Sequence, residues 1–154
     1  MALYSDSVPT PELPALDGGW ALRPAGAQAH TYLASHPDGP EAFTVDVRRV
    51  WQDPLRAAYP IGAHDIAVRL DPSAPECAAG LLRALAPALF AADPRCRRIV
   101  AAPHEDDPRT QRVLADGGFR RVAEADLPGG PVVLFAAEPP HVAGLSTALD
   151  DMPH

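Results

Sequence analysis

The sequence predicts one α+β domain built on a mixed β-sheet flanked by helices, and three observations carry that prediction. Residues 42–50 and 64–70 alternate apolar and polar side chains with the period of two that a half-buried strand needs. Residues 75–92 have a helical composition with an apolar stripe. Residues 93–135 read as strand, helix, strand, turn, strand. A chain of 154 residues, 47% of them apolar, suits one domain whose core needs no covalent staples.

Taken in order, residues 1–17 hold Pro9, Pro11 and Pro14 with little periodicity. They are expected to form a flexible arm, or else a segment that packs on a partner. Residues 20–23 and 30–34 are short strand candidates, followed by the turn signal His36-Pro37-Asp38-Gly39-Pro40. In the next strand Phe43, Val45 and Val47 face one side, and Thr44, Asp46 and Arg48 the other. In the strand at 64–70, Ile66, Val68 and Leu70 oppose Asp65, Ala67 and Arg69. A connection containing Asp53-Pro54 and Tyr59-Pro60 joins the two.

The helix over 75–92 places Cys77, Leu81, Leu85 and Leu89 on one stripe, and Pro87 inside it predicts a kink or a break. Residues 97–102 are β-prone. Asp107 then caps a helix with Pro108 at its first position, Val113 and Leu114 form its apolar face, and Gly117-Gly118 stops it. Phe119 starts a strand, Leu127-Pro128-Gly129-Gly130 turns it, and 131–136 returns as a buried strand. A short final helix is expected over 145–152. The predicted order is β-β-β-β-α-β-α-β-β, with the domain over 18–140 and a tail over 141–154.

The net charge of −7, with arginine as the only strongly basic residue type, excludes general nucleic-acid binding. It also gives little long-range attraction to an anionic cofactor, so such a site needs local arginines. No apolar run approaches the ~20 residues of a membrane span, and no signal pattern precedes the domain. A cytoplasmic protein without membrane association is expected. Cys77 and Cys96 form no spaced cluster, so buried free thiols are expected, without a disulfide or metal framework.

Residues 90–135 also carry a family resemblance, through Phe90, Asp93-Pro94, Arg97-Arg98, Val100-Ala101, Pro103, Leu114, Gly118-Phe119, Val122, Glu124, Leu127-Pro128 and Leu134. They resemble the C-terminal half of the GCN5-related N-acetyltransferase (GNAT) superfamily, in its siderophore and lysine N-acyltransferase branch. The likeness runs back more weakly through Leu81-Leu82-Arg83-Ala84-Leu85 and Tyr59-Pro60 to about Ala42. It implies a GNAT-like sheet, a cleft for a small amine, and acetyl-CoA or another acyl-CoA as donor. Complete members carry an extra strand and two helices before the matched segment. This chain starts too late to supply them, so an N-terminally truncated domain is expected, with a homodimer completing the cleft wall along an exposed sheet edge.

The family's pyrophosphate loop, Q/R-x-x-G-x-G/A, holds its ligand through glycine amides and a helix N-terminus. Here the corresponding residues are Ser73-Ala74-Pro75-Glu76-Cys77-Ala78. The basic residue is gone, Glu76 replaces the middle glycine, and Pro75 has no N–H. These changes predict a cleft that has lost standard acetyl-CoA-dependent transfer and serves altered chemistry or ligand binding. The alternative is an active N-acyltransferase acting on a lysine-type amine.

By the same resemblance the family's fourth-strand histidine corresponds to Arg69, its fifth-strand aspartate to His104, and the asparagine that follows to Asp107. His104, assisted by Asp65, is the candidate acid–base group, because imidazole titrates near working pH. Its other reading is a capping or solvated loop histidine beside Glu105-Asp106-Asp107. Asp46, Arg48, Arg69 and Trp51 are candidates to bind an amine or an anionic ligand. Alternatively, the two arginines join Asp46 and Asp65 in a structural network, and Trp51 and Tyr59 pack in the core. Asp107 and Arg109, at the helix start, are candidate cofactor contacts. The acidic triplet reads as helix-start charge rather than a metal site.

Overall fold

The computed structural model describes residues 13, 15–26, 30–39, 41–57, 62–71 and 74–139. Its strands are β1 (Ala21–Pro24), β2 (Thr31–Ser35), β3 (Phe43–Arg49), β4 (Ile66–Leu70), β5 (Ile99–Ala101), β6 (Arg120–Leu127) and β7 (Gly130–Ala137). Helix α1 (Ala78–Ala92) joins β4 to β5, and α2 (Pro108–Asp116) joins β5 to β6. Two short 3-10 turns, Val50–Gln52 and Pro54–Ala57, follow β3. This is the order the periodicities predict, in a mixed sheet with helices packed on it. Tyr59, Ser73, the final helix expected over 145–152 and most of the arm lie outside the described residues.

The seven strands form one sheet in the order β1-β2-β3-β4-β5-β7-β6. Neighbours run antiparallel except β4 and β5, which are parallel because α1 carries the chain back across the sheet. Alternation sorts the side chains as expected. Phe43, Val45, Val47, Ile66, Val68 and Leu70 join the main core, whereas Ala67, Val100, Leu134 and Ala136 form a smaller cluster on the opposite face. Both helices bury their apolar sides in the main core. Val50 and Leu55, from the 3-10 turns, cover the smaller cluster.

Leu81, Leu82, Leu85 and Leu89 anchor α1, each fully buried and each contributing ~2 kcal/mol of transfer free energy. The expected break at Pro87 does not occur: α1 runs unbroken to Ala92. Pro87 and Arg83 are both exposed, so the carbonyl four residues earlier, which loses its partner, faces water.

Cys77 is a second departure from the sequence reading. The helix begins at Ala78, which leaves Cys77 as an exposed cap residue instead of a member of the buried stripe. Cys96 is buried, and desolvation, then the charges of Asp65 and Asp93, push its thiol up to about 12. It stays protonated and donates to Arg98 O at 3.3 Å.

Helix α2 is bounded as its sequence dictates. Asp107 accepts from the Thr110 amide at 3.1 Å, and Pro108 opens the first turn. At the other end Gly118 adopts φ +95°, and Phe119 N donates to Leu114 O at 3.0 Å. At the chain's other end, Leu13 and Leu16 are half-buried against the main core, so the end of the expected arm is tied to the domain.

Candidate functional site

Strands β4 and β5 pair at only two positions, Ile66↔Ile99 and Ala67↔Val100. Beyond them β4 continues to Leu70, while the chain after β5 turns to β7 instead. There His104 bridges Val132, Val133 N donates to Pro103 O at 3.0 Å, and Glu105 N donates to Pro131 O at 3.1 Å. The two strands therefore splay, and a cavity of about 210 Å³ opens between them. Val68 and Leu70 line it from the main-core face, Ala67 and Arg69 from the other. The cavity passes through the sheet rather than lying on one side of it.

Its polar groups are unevenly balanced. Asp46 accepts from Thr31 Oγ1 at 2.7 Å and pairs with Arg48. Burial, then the Asp46 carboxylate, pushes the neighbouring Tyr32 phenol above its ordinary value. Asp53, only 4% exposed, accepts from the Leu55 amide at 3.0 Å and from the Arg69 guanidinium at 3.3 Å. The Arg69 side chain is 63% exposed. Both guanidinium groups are thus already committed to carboxylates, and Asp107 adds a third acid to the wall.

His104 stands at the mouth of the splay, half exposed. Its Nδ1 accepts the Asp106 amide at 3.2 Å. The neutral ring therefore carries its proton on Nε2 and presents a donor there, with no free lone pair. That edge of the ring lies against Gly130, at φ +124°, where a Cβ would come within 2.8 Å of Nε2. Gln111 Nε2 donates to the His104 and Glu105 carbonyls, each at 3.1 Å, and so ties the loop to α2.

Of the residues singled out in the sequence, Asp46, Arg69, His104 and Asp107 come together on the cavity wall. Arg48 does not line it but pairs with Asp46, which does. Asp65 does not line it. That carboxylate is buried at the start of β4, where Oδ2 accepts from Gly62 N at 2.9 Å and Oδ1 from Arg98 N at 3.2 Å. Trp51 and Arg109 also fall outside the lining. Trp51 is half-buried, and Arg109 is exposed on the first turn of α2. The indole Nε1 of Trp51 and Nε of Arg48 are buried without a hydrogen-bond partner. Asp53 is the wall residue the sequence did not flag, since Asp-Pro after a strand signals a turn and not a buried acid. Among the described residues no group of three His, Cys, Asp or Glu could hold a metal ion.

Most described amides leading into α1 are taken up internally, those of Glu76 and Cys77 being the exceptions. The amide of Asp71 donates to Thr44 O at 3.1 Å and that of Ala74 to Asp71 O at 2.8 Å. Those of Ala78, Ala79 and Gly80 donate to the carbonyls of Pro75, Glu76 and Cys77 at 2.9, 3.2 and 2.9 Å. Glu76 is exposed in the same turn.

Comparison with known proteins places this geometry. Residues 22–127 match the family model described as acetyltransferase (GNAT) domain. No curated protein sequence matches the chain. Among solved structures, aminoglycoside acetyltransferase AAC(6')-Ib in complex with coenzyme A and kanamycin is similar, with a TM-score of 0.59 and 20% identity over 70% of this chain and 65% of that one. An uncharacterized protein from Bacillus halodurans gives a TM-score of 0.60 and 24% identity over 73% and 61%. RimJ of Mycobacterium smegmatis, in complex with CoA-disulfide, gives 0.50 and 16% over 71% and 53%. This chain therefore spans less than two thirds of the length of each, and at these identities the likeness is one of fold.

Proposed function

This chain belongs to the acetyltransferase (GNAT) domain family, and from that premise we propose that its β4/β5 cavity binds a small cationic amine but has lost standard acetyl-CoA-dependent transfer. The observation that carries the reading is the state of residues 71 and 74–80. The amides of Asp71, Ala74, Ala78, Ala79 and Gly80 already have internal acceptors, and Pro75 has no N–H to offer. A diphosphate there would also meet Glu76. Its carboxylate would repel the diphosphate, a solvent-screened penalty that opposes the ~1 kcal/mol a helix N-terminus returns. The residues present do not fit that group.

The amine half of the reading rests on the cavity wall. Asp46, Asp53 and Asp107 face it, and the neighbouring guanidiniums are already paired. An anionic ligand would have to break those pairs, whereas an ammonium adds a partner to them. His104 Nδ1 is occupied by the Asp106 amide and the Nε2 edge lies against Gly130, so the neutral ring offers the ligand no lone pair and is not placed as a base. The residues that resemble the siderophore and lysine branch support a lysine-type amine of siderophore or other natural-product metabolism as the class. A second reading, an active acyl-CoA-dependent N-acyltransferase, is favoured by the splay itself, which keeps both faces of the sheet open to one cavity.

Thermal shift separates the two. Cadaverine or lysine at a hundred times its dissociation constant should stabilise the fold by ~2.7 kcal/mol, or roughly 5–10 °C for a domain of this size. Acetyl-CoA at millimolar concentration should give no shift. A clear acetyl-CoA shift with turnover on the amine would establish the second reading, and no shift with any amine would remove the first.

A further inference from the structure

We propose that Arg95, Arg97 and Arg98 form a docking groove for an acidic segment of a partner protein, at the end of the domain opposite the cavity. The inference is independent of what the cavity binds. In a chain of net charge −7, most guanidinium groups are tied to the fold: Arg49 to Asp93, Arg69 to Asp53, Arg83 to the Asp116 carbonyl and Arg120 to Glu138. These three are exposed, and their guanidiniums have no hydrogen-bond or ion-pair partner among the described residues. They line one open groove of about 520 Å³ together with Pro94, Glu138 and Pro139. Glu138, the acid on its rim, is already neutralised by Arg120 at 3.1 Å.

The backbone beneath them is fixed. Arg95 N donates to Asp93 Oδ1 at 3.0 Å and Cys96 N to Asp93 O at 3.0 Å. Arg98 N donates to Asp65 Oδ1 at 3.2 Å, and its carbonyl accepts from Ile66 N at 3.1 Å and from the Cys96 thiol. The turn that carries the three cations is therefore held before any ligand arrives, which lowers the ordering cost of binding. Cys96, between Arg95 and Arg97, is buried, and the three arginines line the groove on either side of it. Three cations in one groove, without partners among the described residues, suit several carboxylates strung along a chain, and Pro94 adds an exposed apolar edge. The surrounding net negative charge disfavours a long nucleic-acid strand at range, while a short acidic peptide meets mainly the local patch at ordinary ionic strength.

The test is fluorescence anisotropy with a labelled deca-glutamate peptide. Saturable binding is expected at 20 mM salt and at least tenfold weaker binding at 300 mM. The triple variant Arg95→Gln/Arg97→Gln/Arg98→Gln should bind at least tenfold more weakly, with an unchanged urea midpoint, because the amides that hold the turn are retained. Arg23→Gln/Arg112→Gln, which removes two exposed arginines elsewhere, should leave binding intact. Absence of saturable binding, equal binding by the triple variant, or equal loss in the control would overturn the proposal. Tighter binding of inorganic pyrophosphate or of a single-stranded oligonucleotide at the same groove would overturn it too, by identifying a phosphate site instead.

Discussion

The β4–β5 pair behaves differently at its two ends. At the start, the strands are hydrogen-bonded and clamped by buried charge. Asp65 accepts amides from Gly62 and Arg98, and Asp93 takes Arg49 at 2.8 Å and His64 at 3.0 Å. At the other end they part around a cavity whose arginines are partly solvated, with Asp53 buried beneath Arg69. The same residue types do opposite work. Where carboxylate and guanidinium are both enclosed they lock three segments together, and where the guanidinium is exposed they leave a polar wall. A splayed strand pair persists because its closed end and its attachment to β7 keep it from zipping shut.

The sharpest way to break this contrast is to remove one arginine from each end. Arg49 is 4% exposed and lies against buried Asp93, so Arg49→Ala should destabilise by about 3–5 kcal/mol. Arg69→Ala at the open end, which leaves buried Asp53 with the Leu55 amide, should cost less, about 1–2 kcal/mol. Urea midpoints measure both, and similar losses would erase the distinction. Next is Asp65→Ala, which strands the Gly62 and Arg98 amides and should cost about 1–3 kcal/mol. If this residue belonged to the ligand site instead, amine affinity would fall while stability held.

The mildest test is acid. Burial pushes the Asp93 carboxyl up, but hydrogen bonds from His64, Arg49 and the Arg95 amide, with the charge of Arg49, outweigh it and hold the group below the ordinary carboxylate range. Its contribution is therefore complete above the unfolded value of about 4 and is lost as pH falls through the lower folded value. Asp93→Asn should lack this limb of the stability–pH profile, so its deficit relative to the parent chain should shrink on acidification. A deficit constant from pH 6 to pH 2 would show that Asp93 does not supply it.

Most of the fold was legible because its signals are local. Period-two alternation gave β3 and β4 their faces, Asp107-Pro108 gave the start of α2, and Gly117-Gly118 its end. The errors at Cys77 and Pro87 share one cause, since a stripe pattern fixes neither the first helical residue nor the side a proline will face. The site was half legible. Asp46, Arg69, His104 and Asp107 reach the cavity because strand faces and strand ends can be read from sequence. Asp53 could not be found that way, because its burial depends on a 3-10 turn folding back beside β4. Asp65 as an acid–base candidate rests on its match to an acidic residue of the family, which does not distinguish a reacting carboxylate from a bracing one.

One feature of the far edge bears on handling the protein. Strand β6 ends the sheet with its register interrupted between Arg121 and Ala123, Val122 turned outward, and Arg121 and Glu124 paired across the gap. Such a kinked, charge-studded margin is a poor template for another strand. At this border, protection against strand addition rests on a few residues, and smoothing them should make the β6 edge prone to pairing with another chain.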